Sequence, residues 1–365
     1  MPDVIVVGAG PAGSISAHKC AEYGLDTLIL EKRILPRDKV CSGMIMGEVA
    51  HTLIKQEFGD IPESALTQPS QLNGYIFHTP GVGQYNLDNF TLLAWRRNLD
   101  YWMTQQAEAK GAKLWVGARV TGIIPKESGF LVQLEKDGEK QEVEARFVIG
   151  ADGANSIVRR FLYPDLQVAY SQIYQELYRG EFDLDRSYFH WFYPLEFSPA
   201  IFTAHRKDDL VVVDFGGRPG MLRGLMNWAK AYLAKNHRVD FNQKPVWRGG
   251  CLQPSLFRPL ISRTFLPARG NILLAGEAGG FVLPISGEGI GTCLKSGLAA
   301  ANSIFKALES GAPADSPYLT EVQSIISAFD ELLPSFRKIL METKSGGRSL
   351  PMVVAEAYRD TLRTF

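Results

Sequence analysis

The sequence predicts an α/β chain in three parts: a parallel-sheet domain, an antiparallel sheet inserted into it, and a helical tail. Three observations carry this. Val4–Val7 is a short β-branched run that leads into a glycine-rich turn and a helix, and a second apolar strand follows, ending at Glu31. Residues 167–258 turn aromatic and β-branched, in strands such as Tyr188–Tyr193 and Leu210–Phe215. In Leu319–Leu340, Val322, Ile325, Ile326, Phe329, Leu332, Leu333, Phe336, Ile339 and Leu340 recur at helical spacing.

The first unit carries the most chemistry. Gly8-Ala9-Gly10-Pro11-Ala12-Gly13 fits the pattern G-x-G-x-x-G. Gly8 is expected to make the tight turn, Gly10 to let a pyrophosphate approach the backbone, and Gly13 to let helix and strand pack closely. The helix that follows presents free N–H groups and a positive dipole end to an anion. Glu31, at the end of the second strand, stands where an acid would accept hydrogen bonds from a ribose. Strand, turn, helix, strand and acid together predict a Rossmann-type dinucleotide-binding unit.

The chain has 365 residues and a formal net charge of zero, so nothing in its charge points to nucleic acid. It is long enough for two subdomains. Cys20, Cys41, Cys251 and Cys293 lie far apart with no metal or iron–sulfur spacing, which predicts no metal centre. His18, His51, His78, His190, His205 and His237 are likewise scattered. The start reads as a strand rather than a secretory leader, and no stretch is apolar for eighteen residues. A cytoplasmic setting is expected, with peripheral membrane contact left open.

Taken in order, the remaining elements begin with a polar stretch after Lys32 and helical material to about Gly59. Proline and glycine then punctuate Ile61–Gly83. A helix follows Trp95 to near Gly111, and Lys113–Ile124 alternates as one strand. Gly129–Val148 reads as two strands around the hairpin turn Asp137-Gly138. Helices are expected near Met221–Lys235 and Gly289–Leu308, with a buried strand at Asn271–Ala275. Pro334 is expected to kink the tail helix, whose apolar stripe should pack onto the body. The parallel domain then comprises residues 1–70, 91–166 and 259–310. Residues 71–90 and 167–258 form the insertion, and 311–365 the helical region.

Two further motifs make the reading specific. Gly150-Ala151-Asp152-Gly153, after the apolar Phe147–Ile149, resembles the Asp-Gly motif of flavoproteins with the aromatic-hydroxylase fold. Ala275-Gly276-Glu277-Ala278-Gly279-Gly280, running on to Gly287-Glu288-Gly289-Ile290, resembles that group's Gly-Asp-Ala motif, with Glu277 in place of aspartate. The resemblance implies FAD as cofactor and a Rossmann-type FAD-binding domain with an inserted antiparallel-sheet substrate domain and a helical C-terminal tail. It implies that Asp152 and Glu277 meet the cofactor, Glu277 through the ribityl chain. Arg96 matches an Arg-x-x-Leu-Asp pattern that contacts the cofactor, and Val120 is implied to meet the adenine through its backbone. Gly8, Gly10, Ala12, Gly13, Glu31, Lys32, Cys41, Ser42, Gly276, Gly289 and Ile290 complete the implied cofactor site. The helix starting near Gly289 would aim its positive end at the flavin ring, favouring the reduced anion by about 1 kcal/mol.

Lys39-Val40-Cys41-Ser42-Gly43 resembles the Lys-x-Cys-Gly-Gly stretch of geranylgeranyl reductases, and Phe189–Pro194 resembles their aromatic-x-Trp-x-aromatic-Pro signature. On a strand, Phe189, Trp191 and Tyr193 share one face, and His190 and Phe192 the other. The resemblance implies reduction of carbon–carbon double bonds in an isoprenoid or prenyl-lipid substrate. Cys41 would position the alkene or relay a proton, and Phe189, Trp191 and Tyr193 would wall the tunnel. The implied reductant is NAD(P)H or a protein such as ferredoxin. Two alternatives stand beside it: a flavin monooxygenase acting on an aromatic or polyketide ring, and a flavin-binding sensor or prenyl carrier without turnover. Halogenases carry a partly similar tryptophan motif, but the lysine they require is missing between Gly59 and Ala94.

Overall fold

A computed structural model describes residues 1–364. Val4–Val7 is flanked by Thr27–Glu31 and Phe147–Gly150, both parallel to it, and Lys113–Val116 and Ile272–Leu274 add parallel strands at either side. The short Ala268–Arg269 closes the six-stranded sheet in antiparallel fashion. The central strands pack on helices and on Val120, Ile123, Val132 and Leu134, and Val4, Ile5, Val6, Ile29, Val148 and Ile149 are fully buried. The helices Pro11–Glu22 and Ile290–Ser310 approach at backbone distance: a Cβ on Gly297 would lie 2.4 Å from the Ala12 carbonyl oxygen.

Lys113–Ile124 is not one strand. Gly117 turns at φ +67, sending Lys113–Val116 into the parallel sheet and Arg119–Lys126 into a separate three-stranded sheet with Gly129–Lys136 and Glu139–Ala145. Asp137 and Gly138 make the turn of its second hairpin, both with positive φ.

The third sheet has eight strands. Trp247–Ser255, Ala169–Arg179, Leu210–Gly217, Ile201–Lys207 and Tyr188–Phe192 pair antiparallel in that order. Tyr188–Phe192 then runs parallel to Leu66–Thr79, which pairs with Gly83–Ala94 and through it with Met44–Ile45. Much of the proline- and glycine-punctuated stretch Ile61–Gly83 is therefore a fourteen-residue strand. Its proline and glycine mark irregularities instead of a loop: the register shifts between Leu66 and Gln71, around Pro69, and again between Leu72 and Gly74.

One face of this sheet packs Phe192, Phe202 and Phe215 against the helix Leu222–His237. The other presents Phe189 and Trp191, with Tyr75 and Phe77, to the helix Leu350–Thr364. The tail begins with Asp315–Glu321 and continues as Gln323–Lys344, with Pro334 inside the latter. Ile325, Phe329 and Leu332 join the core of the parallel domain. Among the described residues no helix is long and apolar enough to cross a membrane.

Candidate functional site

A cavity of about 1740 Å³ runs from the carboxyl ends of the parallel strands to the aromatic face of the eight-stranded sheet. Pockets for one drug-sized ligand are roughly 300–1,000 Å³, so this space accommodates a dinucleotide and a second molecule. Of the residues singled out in the sequence, Gly8, Gly10, Ala12, Glu31, Lys32, Cys41, Ser42, Arg96, Val120, Asp152, Glu277, Gly289, Ile290, Phe189, Trp191 and Tyr193 line it.

Gly13 and Gly276 are absent from the lining and act in packing. A Cβ on Gly13 would stand 1.9 Å from the Gly8 carbonyl oxygen, and one on Gly276 would stand 2.8 Å from Cys293 Sγ and 2.9 Å from Ala12 Cβ. Gly8, at φ +104, passes so close to Ala151 that a Cβ would be 2.5 Å from its carbonyl oxygen. At Gly10 the nearest neighbour of an added Cβ is the Arg37 guanidinium at 3.8 Å. The helix beyond it starts with Pro11 and has no side-chain cap, so its amino end is open to an anion.

Both oxygens of Glu31 are already engaged: Oε2 accepts the Ala9 N–H at 3.0 Å, and Oε1 accepts the Arg33 N–H at 2.9 Å. Arg37 lies 3.6 Å from Glu31 Oε2 and 3.1 Å from Asp100 Oδ2. Arg96 forks onto Asp100 at 2.7 and 3.0 Å. Burial opposes the charge on Arg96, but Asp100 outweighs it and holds the guanidinium protonated, with Cys41 also contributing. Asp152 uses Oδ2 to cap the helix Ile157–Leu162 through the Ile157 N–H at 2.6 Å, while Oδ1 is buried without a partner. Burial raises its pKa. Glu277 lies 3.8 Å from Lys39.

Cys41 accepts the Gly43 N–H at 3.3 Å, and its carbonyl oxygen accepts from Gln175 at 3.2 Å. The same Gln175 amide donates to Asp214 at 2.6 Å, and Thr203 donates to the other Asp214 oxygen at 2.9 Å. Lys207 donates to the Ala94 carbonyl at 3.1 Å and sits over the Trp95 ring. It is only 2 % exposed, and burial lowers its pKa to about 8. A smaller cavity of about 520 Å³ holds Lys207, Arg96, Cys41, Trp95 and Trp247 in one wall.

The Phe189 and Trp191 rings pack at a tilt with centroids 5.2 Å apart, and Trp191 lies 5.7 Å from Tyr358 of the last helix, while its Nε1 has no partner. Phe336, Ile339, Leu340 and Leu350 of the tail complete this apolar end.

Arg37, Lys207 and Glu288 are among the site residues that sequence reasoning left without a role. Arg37 falls in the polar loop before Cys41, where the signal was present but unassigned. Lys207 ends a strand, and its Ala94 partner is distant in sequence. Among the described residues no cluster of three or more potential ligands could hold a metal ion.

Residues 1–175 match the family described as FAD binding domain. The chain is 31% identical over 326 residues to digeranylgeranylglycerophospholipid reductase 2 of Methanopyrus kandleri, covering 84% of this chain and 78% of the relative. It is 27% identical over 335 residues to geranylgeranyl diphosphate reductase of Rhodobacter capsulatus, covering 86% of this chain and 77% of the relative. Among solved structures, a geranylgeranyl bacteriochlorophyll reductase-like protein from Thermoplasma acidophilum superposes with a TM-score of 0.70 at 19% identity, covering 99% of this chain and 91% of that one. That superposition establishes the shared fold.

Proposed function

The chain belongs to the geranylgeranyl reductase family of FAD-dependent oxidoreductases, and from that premise we propose that it saturates carbon–carbon double bonds in an isoprenoid chain. The observation that carries the reading is the continuity of one cavity: the open amino end of Pro11–Glu22 stands in its wall at one end, and the apolar wall of Phe189, Trp191, Phe336 and Ile339 at the other. The residues fit FAD, because Gly10 leaves the helix end uncovered and Asp152 keeps one buried oxygen unpartnered.

In this reading the Gly8–Gly13 turn and the helix behind it hold the pyrophosphate. Glu31, Arg37, Asp100 and Arg96 form a connected charge chain that stiffens the pocket around the nucleotide. Val120 and Lys32 edge the adenosine end, and Asp152, Glu277, Gly289 and Ile290 bound the flavin end. Reduced FAD supplies hydride when bound. The chain's own residues orient the alkene and exclude water: Phe189, Trp191 and Tyr193 wall the channel, and Cys41 positions the double bond. The reductant is a nicotinamide or a protein such as ferredoxin. The exposed Leu340 and Met341, on the helix that lines the channel, support transient contact with the membrane holding a long prenyl lipid.

The test is anaerobic. The purified flavoprotein is photoreduced and mixed with geranylgeranyl diphosphate or a prenyl-lipid extract. Return of the oxidised-flavin absorbance without oxygen, with a product heavier by two hydrogens, is the expected result. Absorbance that returns only on admitting air, with an aromatic substrate gaining one oxygen, would replace this reading with hydroxylation.

A further inference from the structure

The apolar end of the cavity opens to the outside beside the helix Gln323–Lys344. Leu340, Ser198, Pro199 and Arg218 line the cavity and are also exposed at the surface. Two close contacts bring them to one mouth. A Cβ on Gly347, in the turn after the helix, would lie 2.6 Å from Leu195 Cδ2, and one on Gly217 would lie 2.9 Å from Ala200 Cβ. Leu195 also packs in one cluster with Ile339 and Leu350 of the tail.

Arg337, Leu340, Met341 and Lys344 recur at i, i+3, i+4 and i+7, which sets them on one face of that helix. Leu340 is 36 % exposed and Met341 65 %, and Met352 in the first turn of the last helix is exposed as well. Cations frame this apolar rim: Arg337 and Lys344 on the helix, Arg348 in the turn, and Arg218 across the mouth, all exposed. Among the described residues none of these four side chains has a hydrogen bond, an ion pair or a ring contact. Most nearby acids are engaged or distant. Glu342 accepts the Ser349 N–H at 2.8 Å, and Glu356 pairs with Lys338 at 2.7 Å. Asp330 and Glu331 are exposed but lie two helical turns back, roughly 10 Å from Arg337. Glu196, in the short turn Leu195–Phe197, is the exposed carboxylate on the rim, set against four cations.

We propose that this face docks on a bilayer bearing anionic lipid, so that a prenyl chain passes from the membrane into the cavity between Leu340 and Pro199 without crossing water. The inference rests on the prenyl-lipid reading and adds to it the kind of surface and the residues that meet it. An interfacial helix holds a bilayer in two ways, by apolar side chains at the edge of the hydrocarbon and by cations against anionic headgroups. Leu340 and Met341 supply the first, and Arg337, Lys344, Arg348 and Arg218 the second. An acidic protein would satisfy the cations but would press Leu340 and Met341 against a polar surface. The contact is a docking and not a span, since among the described residues no helix is long and apolar enough to cross a membrane.

The experiment is co-sedimentation of the holoprotein with vesicles of phosphatidylcholine alone and of phosphatidylcholine mixed with phosphatidylglycerol. Wild type should bind the anionic vesicles at least about tenfold more tightly, and less tightly as salt is raised. The double variant Arg337→Gln with Lys344→Gln should lose that preference, and Met341→Asp should weaken binding to both kinds of vesicle. All three positions are exposed, so melting temperature should stay at the wild-type value. A second readout compares flavin reoxidation by a prenyl lipid embedded in anionic vesicles with reoxidation by geranylgeranyl diphosphate dispersed in neutral detergent. The charge variant should lose at least about tenfold on the first and keep the wild-type rate on the second. Wild type that binds neither kind of vesicle, or both equally, overturns the docking, as do variants that bind like wild type. Lipid-selective binding by a wild type inert toward every prenyl chain would leave the docking standing and overturn the alkene-reduction reading alone.

Discussion

Arg96 and Asp100 sit one helical turn apart and meet in a two-pronged pair, Nε to Oδ1 at 2.7 Å and Nη2 to Oδ2 at 3.0 Å. Asp100 is buried and shares Oδ2 with Arg37, which also approaches Glu31. One carboxylate thus holds two arginines at the cavity wall. Asp100→Asn removes the charge but keeps the size, leaving Arg96 buried without its counterion. Breaking a buried pair from one side costs about 3–5 kcal/mol. The variant should melt well below wild type and bind FAD at least about tenfold more weakly, read by flavin fluorescence titration of the apoprotein. Unchanged affinity would show that this chain of charges does not support the cofactor pocket.

Gly43 fixes the loop that carries Cys41. Its φ is +76, and a Cβ there would lie 2.0 Å from the Ala94 carbonyl oxygen and 2.9 Å from Lys207 Nζ. Gly43→Ala must therefore move either the loop or the strand Gly83–Ala94 that it touches. The expected outcome is a folded protein with circular dichroism like wild type, a melting temperature lower by the equivalent of about 1–3 kcal/mol, and prenyl-driven flavin reoxidation reduced at least about tenfold. Wild-type reoxidation in Gly43→Ala would separate the Cys41 loop from the reaction.

How far the sequence could be read follows from where each signal is local. The Gly8–Gly13 turn, Glu31 and the Asp137-Gly138 hairpin are specified by neighbours within a few residues, and these elements form as expected. Leu66–Thr79 is not legible as a strand, because Pro69 and Gly74 look like turn punctuation until the partner strand shows the register shifts they occupy. Lys113–Ile124 alternates smoothly across Gly117, so nothing local shows that its two halves join different sheets. The site divides in the same way. Glu31 was legible, but its contact with Arg37, and through Arg37 with Asp100, depends on segments far apart in sequence.

The histidines on the far face of the eight-stranded sheet predict acid sensitivity. His78 and His190 share a hydrogen bond at 3.0 Å, and burial lowers them to about 3 and about 4. Both stay neutral when folded and take up protons near the ordinary value of 6.5 when unfolded. Their contribution is therefore complete above about pH 6.5 and is lost as pH falls toward the folded values, at up to about 1.4 kcal/mol per pH unit for each. Melting temperature should drop steadily between about pH 6.5 and 4.5. Replacing the pair, His78→Phe with His190→Phe, should make that slope shallower, with the buried His18, His205 and His237 supplying the remainder. A wild-type profile flat across this range would refute the assignment.

Lys207 gives the opposite case, a buried charge that costs stability at neutral pH. Its folded pKa is lowered by burial to about 8, below the ordinary lysine value of 10.5. Below about pH 8 the ammonium is charged in both states, and the folded state bears the desolvation penalty in full. As pH rises from about 8 to 10.5 the folded lysine is neutral while the unfolded one still binds a proton, so wild type gains stability relative to a variant that cannot titrate. Lys207→Met should therefore melt above wild type at about pH 7, with the difference shrinking toward pH 10. The same variant removes the cation beside Cys41 and Arg96, and should lose at least about tenfold in prenyl-driven flavin reoxidation. A gain in stability without that loss would make Lys207 a structural burden alone; a lower melting temperature at neutral pH would mean that its bond to Ala94 and its contact with Trp95 outweigh the cost of burying it.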